Sequence, residues 1–406
     1  MVTSRPATLL RRALVAAGTL ALATTGLLAP ARPAGAQTVV VTDQSGLASA
    51  FANPAVSTIM LGTDITLTCP ASGGAGEITR TVGGAVTLDG QGHTLRQACP
   101  NTGVVYANAS GVKTTLTIDD LSVTGGAGGN PVFVGGDVFV TSSTFTGNSA
   151  SPASANGVVF ALFGSATAVD STFTDNTGAA LFAYFGAATA TRSHFAYNTG
   201  AGVVSDTGSP TTVVDSTFIG NFGGGISATY EVNVTRSHFL GNHSSRDGGA
   251  IYSWGTVSVV DSTLSGNSAS LGGGAIFALQ SVSVENSTIA GNSAGDTGGA
   301  INVISQGYPP APPPKVVLRH VTVTDNTSPS GQISSGASYS LESFGSVLDS
   351  DGRNCGAGLL VGVVSGFNVA SDTSCGLGAP TDRQDVTDPG LGPLGDHGGP
   401  TPPACR

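Results

Sequence analysis

The sequence predicts an all-β chain wound into a solenoid of stacked coils, and three observations predict it. Charged residues make up only 10% of the 406 positions, while Gly accounts for 60 of them. With abundant Ser, Thr and Val, that composition suits turns and strands, not disorder or helix. One phrase, Asp261 to Ala278 (DSTLSGNSASLGGGAIFA), reads as a small-polar strand, an Asn at a corner, a Gly-rich bend and a short apolar strand. It recurs mostly every 21–25 residues. This is the period of a β-coil that cannot bury its own apolar side chains and must stack on its neighbours.

The first 36 residues read as an export signal. Arg5, Arg11 and Arg12 make a basic start, Ala13 to Ala29 an apolar run, and Ala34-Gly35-Ala36 an A-x-A cleavage site before Gln37. The run is short for a membrane anchor and ends in Pro and small residues. The Arg11-Arg12 pair is a twin-arginine feature, but the flanking residues fit general secretion better. No later stretch is apolar enough to span a bilayer, so no transmembrane segment is expected after cleavage. These residues hold four of the 15 Lys and Arg and none of the 25 acids, leaving 11 basic side chains and a net charge of −14. That balance argues against nucleic acid and anionic membranes as partners.

Residues 37–78 read as an N-terminal cap. Leu47, Ala50 and Phe51 fall at i, i+3 and i+4 of a short amphipathic helix ending near Asn53-Pro54, and Ile59, Leu61, Ile65 and Leu67 read as strand. A helix laid across the end would cover the first apolar coil. Val86 to Leu95 (VTLDGQGHTL) is strand, glycine turn, strand, and is the expected first coil.

The solenoid body is expected over 79–348, with coils aligned on Asn148, Asn176, Asn198, Asn221, Asn242, Asn267, Asn292 and Asn326. Three residues before each stands Phe145, Phe173, Phe195, Phe218, Phe239, Leu264, Ile289 or Val323. Stacking at about 4.8 Å per coil places Phe on Phe and Asn on Asn in internal columns. The Asn are read as structural: they tolerate the left-handed backbone of a corner, and their amides reach the coils above and below. Gly-rich bends such as Gly248-Gly249-Ala250-Ile251 meet the same backbone demand. Val123 and Gly126 look like an earlier, degenerate copy. A leucine-rich repeat has a similar length, but its leucine pattern is missing.

Gln306 to Pro314 (QGYPPAPPP) cannot join a ladder and reads as a loop inserted at a turn. Beyond Leu341 the repeat fades, and 349–406, richer in Gly, Pro and Asp, reads as a C-terminal cap. Five Cys in an exported chain suggest disulfides. Local spacing pairs Cys69 with Cys99 and Cys355 with Cys375, and leaves Cys405 over. Metal binding by these Cys finds no Cys-x-x-Cys or His-rich cluster.

The Phe-x-x-Asn and Gly-Gly-Ala-Ile pieces, as in Phe239-Leu240-Gly241-Asn242 with Gly248 to Ile251, resemble the repeats of chlamydial polymorphic outer-membrane proteins. In the C-terminal segment, Asn354-Cys355-Gly356, Gly366-Phe367-Asn368, Asp372-Thr373-Ser374-Cys375 and Asp388 to Thr401 (DPGLGPLGDHGGPT) resemble secreted bacterial "choice-of-anchor Q" proteins. That resemblance implies a right-handed parallel β-helix of the pectin-lyase-like type, in proteins that usually continue toward a surface-anchoring tail. It implies no known reaction.

Polysaccharide lyases that resemble this fold use clustered carboxylates for Ca²⁺ with Arg or Lys as base, and the hydrolases use converging Asp pairs or triads. Here the acids are mostly single and borne by the repeat. The position three before the apolar residue reads Asp170, Arg192, Asp215, Arg236 and Asp261 on five successive coils, with His194 and His238 beside the two Arg. Alternating charge is what stacking favours, so the expected role is a structural ladder. The functional alternative is a strip that grips a sugar chain or a partner. Asp349 with Asp351, Asp382 with Asp385, and His397 read as turn and cap residues, and Tyr252 with Trp254 as an aromatic pair able to stack a sugar. No residue is assigned a catalytic role, and no metal or cofactor is called for. The favoured reading is an exported, non-catalytic surface or extracellular rod for adhesion, interaction or structure, with a polysaccharide or cell-surface partner. The other is a polysaccharide lyase or glycoside hydrolase on the same scaffold.

Overall fold

The computed structural model describes residues 37–70, 76–151, 156–305, 313–335, 338–356, 358–359 and 363–392. The export signal, most of the proline-rich stretch, His397 and Cys405 lie outside the described residues. Among those described, parallel strands form sheets of 14, 13 and 11 strands, with three two-residue strands in a fourth. One coil visits each large sheet in turn: Ala166–Val169 in the first, Thr172–Thr174 in the second, Ala179–Tyr184 in the third. The next coil begins at Ala188. About 12 such coils, of about 25 residues each, make an all-β parallel solenoid.

Left-handed residues turn the chain at the first two corners along the solenoid, and at the third corner on three coils through Phe163, Phe185 and Thr207 (φ 57–70°). Between the first and second sheets stand Asp120, Ser142, Asp170, Arg192, Asp215, Arg236, Asp261, Asn286 and His320, all with φ of 46–55°. At the second corner the left-handed residue directly precedes the Asn: Gly147, Asp175, Tyr197, Gly220, Gly241, Gly266, Gly291 and Asp325, with φ of 54–63°. The Asn therefore does not itself adopt the left-handed backbone that the sequence led us to expect. It turns inward instead. At the Gly-rich bend, Gly248 has φ 67°, and a Cβ on Gly249 would lie 2.3 Å from the Gly274 carbonyl oxygen of the next coil. Only glycine allows that approach.

The buried Asn side chains form a continuous ladder. Asn198 Nδ2 donates to Asn221 Oδ1 (2.9 Å) and to the Phe173 carbonyl (3.0 Å), and its backbone N–H also donates to Asn221 Oδ1 (3.2 Å). The pattern repeats from Asn148 to Asn326 and continues through Gln332, Asn354 and Asp372. At its start Gly126, the degenerate copy, donates its N–H to Asn148 Oδ1. At the opposite end of the second-sheet strands runs a serine ladder that sequence reading missed. Ser143, Ser171, Ser193, Ser216, Ser237 and Ser262 are each buried, and each accepts at Oγ from the backbone N–H of the preceding coil. Inside the coils Phe145, Phe173, Phe195, Phe218 and Phe239 stack with ring centroids 4.6–5.0 Å apart and interplanar angles of 2–9°.

The ends close differently. Helix α1 (Gln44–Ala52) is capped by Asp43, whose Oδ1 accepts from Gly46 N–H (2.7 Å), and it buries Leu47, Ala50 and Phe51. The buried Arg80 guanidinium closes its other end, donating to the Phe51 and Asn53 carbonyls (2.8 and 3.2 Å). Strands β1 (Gln37–Val41) and β2 (Val56–Leu61) join the first sheet, β3 (Ile65–Leu67) the second and β4 (Ile78–Arg80) the third. A complete coil thus precedes Val86–Leu95, which is the second coil and not the first. At the other end the sheets run past residue 348, since Val364–Gly366 and Val369–Ala370 still pair with the preceding coil. The repeat fades in sequence before the ladder ends.

Both disulfides, Cys69–Cys99 and Cys355–Cys375, are formed, across 30 and 20 residues. Ile65, Leu95, Val123 and Phe145 are in register, so Cys69 and Cys99 each follow the position that the Asn occupies in later coils. Cys355 follows Asn354. Covalent links therefore join neighbouring coils at either end of the Asn column. Replacing Cys355 and Cys375 by Ser should destabilise the C-terminal coils by about 3 kcal/mol, from the 20-residue loop released. Hydrogen exchange should show the protection lost beyond Ile333 and retained near Asn198.

Candidate functional site

Asp170, Arg192, Asp215, Arg236 and Asp261 do come together, but on a line of corners, not on a flat face. Each is the left-handed residue between the first and second sheets. Arg192 binds Asp170 through Nε and Nη2, both at 2.7 Å, and Arg236 binds Asp215 in the same fork at 2.6 and 2.8 Å. Each Arg thus reaches back to the Asp of the coil before it, and the column breaks into pairs, with Asp261 left over. The Arg192 hydrogen bond holds the Asp170 carboxyl below the usual carboxylate range, and Asp215 in turn raises Arg236. These pairs are substantially exposed. Arg192→Ala and Arg236→Ala should each cost less than about 1 kcal/mol in urea unfolding.

His194 and His238 lie on the outer face of the second sheet, in a column that reads Thr172, His194, Thr217, His238, Thr263. His238 is the more deeply covered, and its Nε2 has no hydrogen-bond partner among the described residues. Burial pushes both imidazoles below their ordinary value of 6.5. A depressed folded pKa means that the unfolded chain takes up protons first. Stability is therefore fully present above pH 6.5 and falls as the pH drops through the folded values. His238→Thr, which extends the neighbouring threonines, should flatten the fall in melting temperature between pH 7 and pH 5.

The outer face of the third sheet differs from the other two. Tyr106, Phe133, Phe160 and Phe182 occupy one outward register position on successive coils, with Val204, Ser227, Tyr252 and Phe277 following. Tyr106 stacks on Phe133 (5.1 Å) and Phe133 on Phe160 (5.6 Å). Along the edge that follows, Phe163, Phe185, Tyr230 and Trp254 are about half exposed. Sequence reading singled out only Tyr252 and Trp254. The signal was an aromatic at the outward phase of six of the eleven third-sheet strands, as in Ile251-Tyr252 and Ile276-Phe277. Ser227 interrupts the column with a small side chain and opens a concavity of about 240 Å³ against Tyr252 and the Ser244–Asp247 turn.

The C-terminal acids divide. Burial, then the neighbouring Asp325, raises Asp349. Burial opposes ionisation of Asp382, but hydrogen bonds from Ser365, Asn368 and Ala379 outweigh it and lower the pKa. Asp382 thereby ties the last turns together. Among the described residues no group of three or more His, Cys, Asp or Glu is placed to hold a metal ion.

Two family models match the chain. "Right handed beta helix region" covers residues 91–243, and the "Chlamydia polymorphic membrane protein repeat" covers 237–253 and 261–279. The chain is a right-handed parallel β-helix with chlamydial-type repeats. No curated protein sequence matches it. Among solved structures, the L. reuteri 53608 SRRP is 14% identical, with a TM-score of 0.30, covering 82% of this chain and 97% of that one. The bacteriophage CBA120 tailspike protein 3 is 12% identical, with a TM-score of 0.30, covering 82% and 58%. The chain spans little more than half of the tailspike.

Proposed function

We propose that the chain is an exported, extracellular or cell-surface β-helix rod that binds its partner without converting it, in an adhesive, interaction or structural role. The corner column carries this reading. Asp170 and Asp215 are each engaged by an Arg one coil on, along an edge, so their carboxylates do not converge as a general acid and base must. The A-x-A site before Gln37, the chlamydial-type repeats and the C-terminal resemblance to choice-of-anchor Q proteins support export and surface placement. The partner class is a polysaccharide or a cell-surface molecule, and the net charge of −14 disfavours nucleic acid. Fractionation of the producing cell, with mass spectrometry of the N-terminus, tests it. A chain starting at Gln37 in the surface or culture fraction is expected. A chain kept inside the cell with residues 1–36 attached would sink the proposal.

A further inference from the structure

We propose that the concavity at Tyr252 on the outer face of the third sheet is a subsite for a neutral sugar, stacked on the tyrosine ring to which Trp254 is hydrogen-bonded. This rests on the reading of the protein as an extracellular binding rod and gives that reading a place and a ligand class.

Tyr252 presents one ring face to Phe277 of the next coil, with centroids 5.3 Å apart and planes 10° from parallel. On its other side the preceding coil places Ser227 at the same register position. A serine cannot cover a ring, so the second face of Tyr252 looks into the concavity. Trp254 Nε1 donates to the Tyr252 hydroxyl at 2.5 Å, which ties the half-exposed indole to the ring that lines the concavity. The far wall is a braced turn: Ser244 Oγ donates to the Asp247 carbonyl (2.8 Å), and Gly272 N–H donates to Asp247 Oδ1 (2.9 Å). The same turn exposes Arg246, whose guanidinium makes no hydrogen bond or ion pair among the described residues.

An open aromatic face beside a free guanidinium, a carboxylate and serine hydroxyls narrows the ligand chemistry. The ring face takes a weakly polarised C–H surface. Arg246 supplies donors and Asp247 an acceptor, which hydroxyl groups can satisfy together. A purely apolar ligand would bury the Arg246 guanidinium without a partner. A polyanion would meet Asp247 and a net charge of −14 on the chain from Gln37. A neutral pyranose, apolar on one face and hydroxylated at its edge, meets every demand.

Trp254 is the only tryptophan in the chain, so emission excited selectively through tryptophan, beyond the absorption of the tyrosines, reports on this place alone. The full chain from Gln37 would be titrated with cello-, xylo-, manno-, malto- and chito-oligosaccharides and, separately, with polygalacturonate. We expect a saturable shift of Trp254 emission with at least one neutral oligosaccharide. Affinity should fall about tenfold in Tyr252→Ala and in Arg246→Ala. Arg246→Ala, in an exposed turn, should keep the parent's unfolding midpoint. No shift with any neutral oligosaccharide, a shift with polygalacturonate alone, or unchanged affinity in both variants overturns the subsite. If these variants still bind cells or polymer as the parent does, the subsite falls and the extracellular rod stands. If the parent binds nothing and stays inside the cell, both fall.

Discussion

Asn221→Ala should lower the stability of the central coils by about 3 kcal/mol or more in urea or calorimetric unfolding. The substitution removes four hydrogen bonds at once. Asn221 Oδ1 accepts from the backbone and the side chain of Asn198, and its Nδ2 donates to the Phe195 carbonyl and to Asn242 Oδ1. All these Asn are buried, so the two Asn198 donors lose their partner with no access to water, at about 1–3 kcal/mol each. Asn221→Asp separates hydrogen bonding from shape. It keeps the acceptor for Asn198 but faces the Phe195 carbonyl and Asn242 Oδ1 with oxygen, and it buries a charge. Its loss should be at least as large at pH 7. Because each coil touches only its neighbours, the single cooperative transition should split in two. A variant of either kind with the parent's midpoint would show that the ladder does not hold the coils together.

Phe218→Ala should cost about 3–5 kcal/mol. The ring is fully buried between Phe195 and Phe239, with centroids 4.8 and 4.6 Å away. The backbone has left room for it: a Cβ on Gly202 would lie 2.6 Å from the Phe218 ring. That glycine packs so closely that the walls cannot collapse into the space the ring vacates. Phe218→Leu is the control. Leu264 occupies the same column two coils on and is equally buried, so the leucine should cost less than about 1.5 kcal/mol. Chemical denaturation of the two variants side by side reads the difference. Equal losses would mean that stacking geometry, and not filled volume, dominates the column.

What was legible in the sequence is what repeats with a fixed offset. The Phe-x-x-Asn spacing survives every change in coil length because second strand and corner form one rigid unit. Cys69 and Cys99 could be paired because they sit one coil apart. The first coil was missed because β2 to β4 carry no Asn, a disulfide standing near that position. The serine ladder was hidden because a serine beside a turn reads as an ordinary solvated turn residue until its register shows it buried. The third-sheet aromatics were hidden for a different reason. Bends of unequal length separate them from the Asn, so alignment on the corner puts Phe182 and Tyr252 out of phase although the structure stacks their coils. The corner charges were the reverse case. Their alternation was plain, but only the fork geometry at Arg192 and Arg236 shows that they pair by twos.

The most direct test of the binding rod is product release from uronic-acid and neutral polysaccharides by the purified chain from Gln37, with and without Ca²⁺. No unsaturated or new reducing ends are expected from any polymer, including those the protein retains. Product that appears with the parent and vanishes in Arg192→Ala or Asp215→Ala would contradict this reading and make the corner column the active site of a polysaccharide lyase or hydrolase.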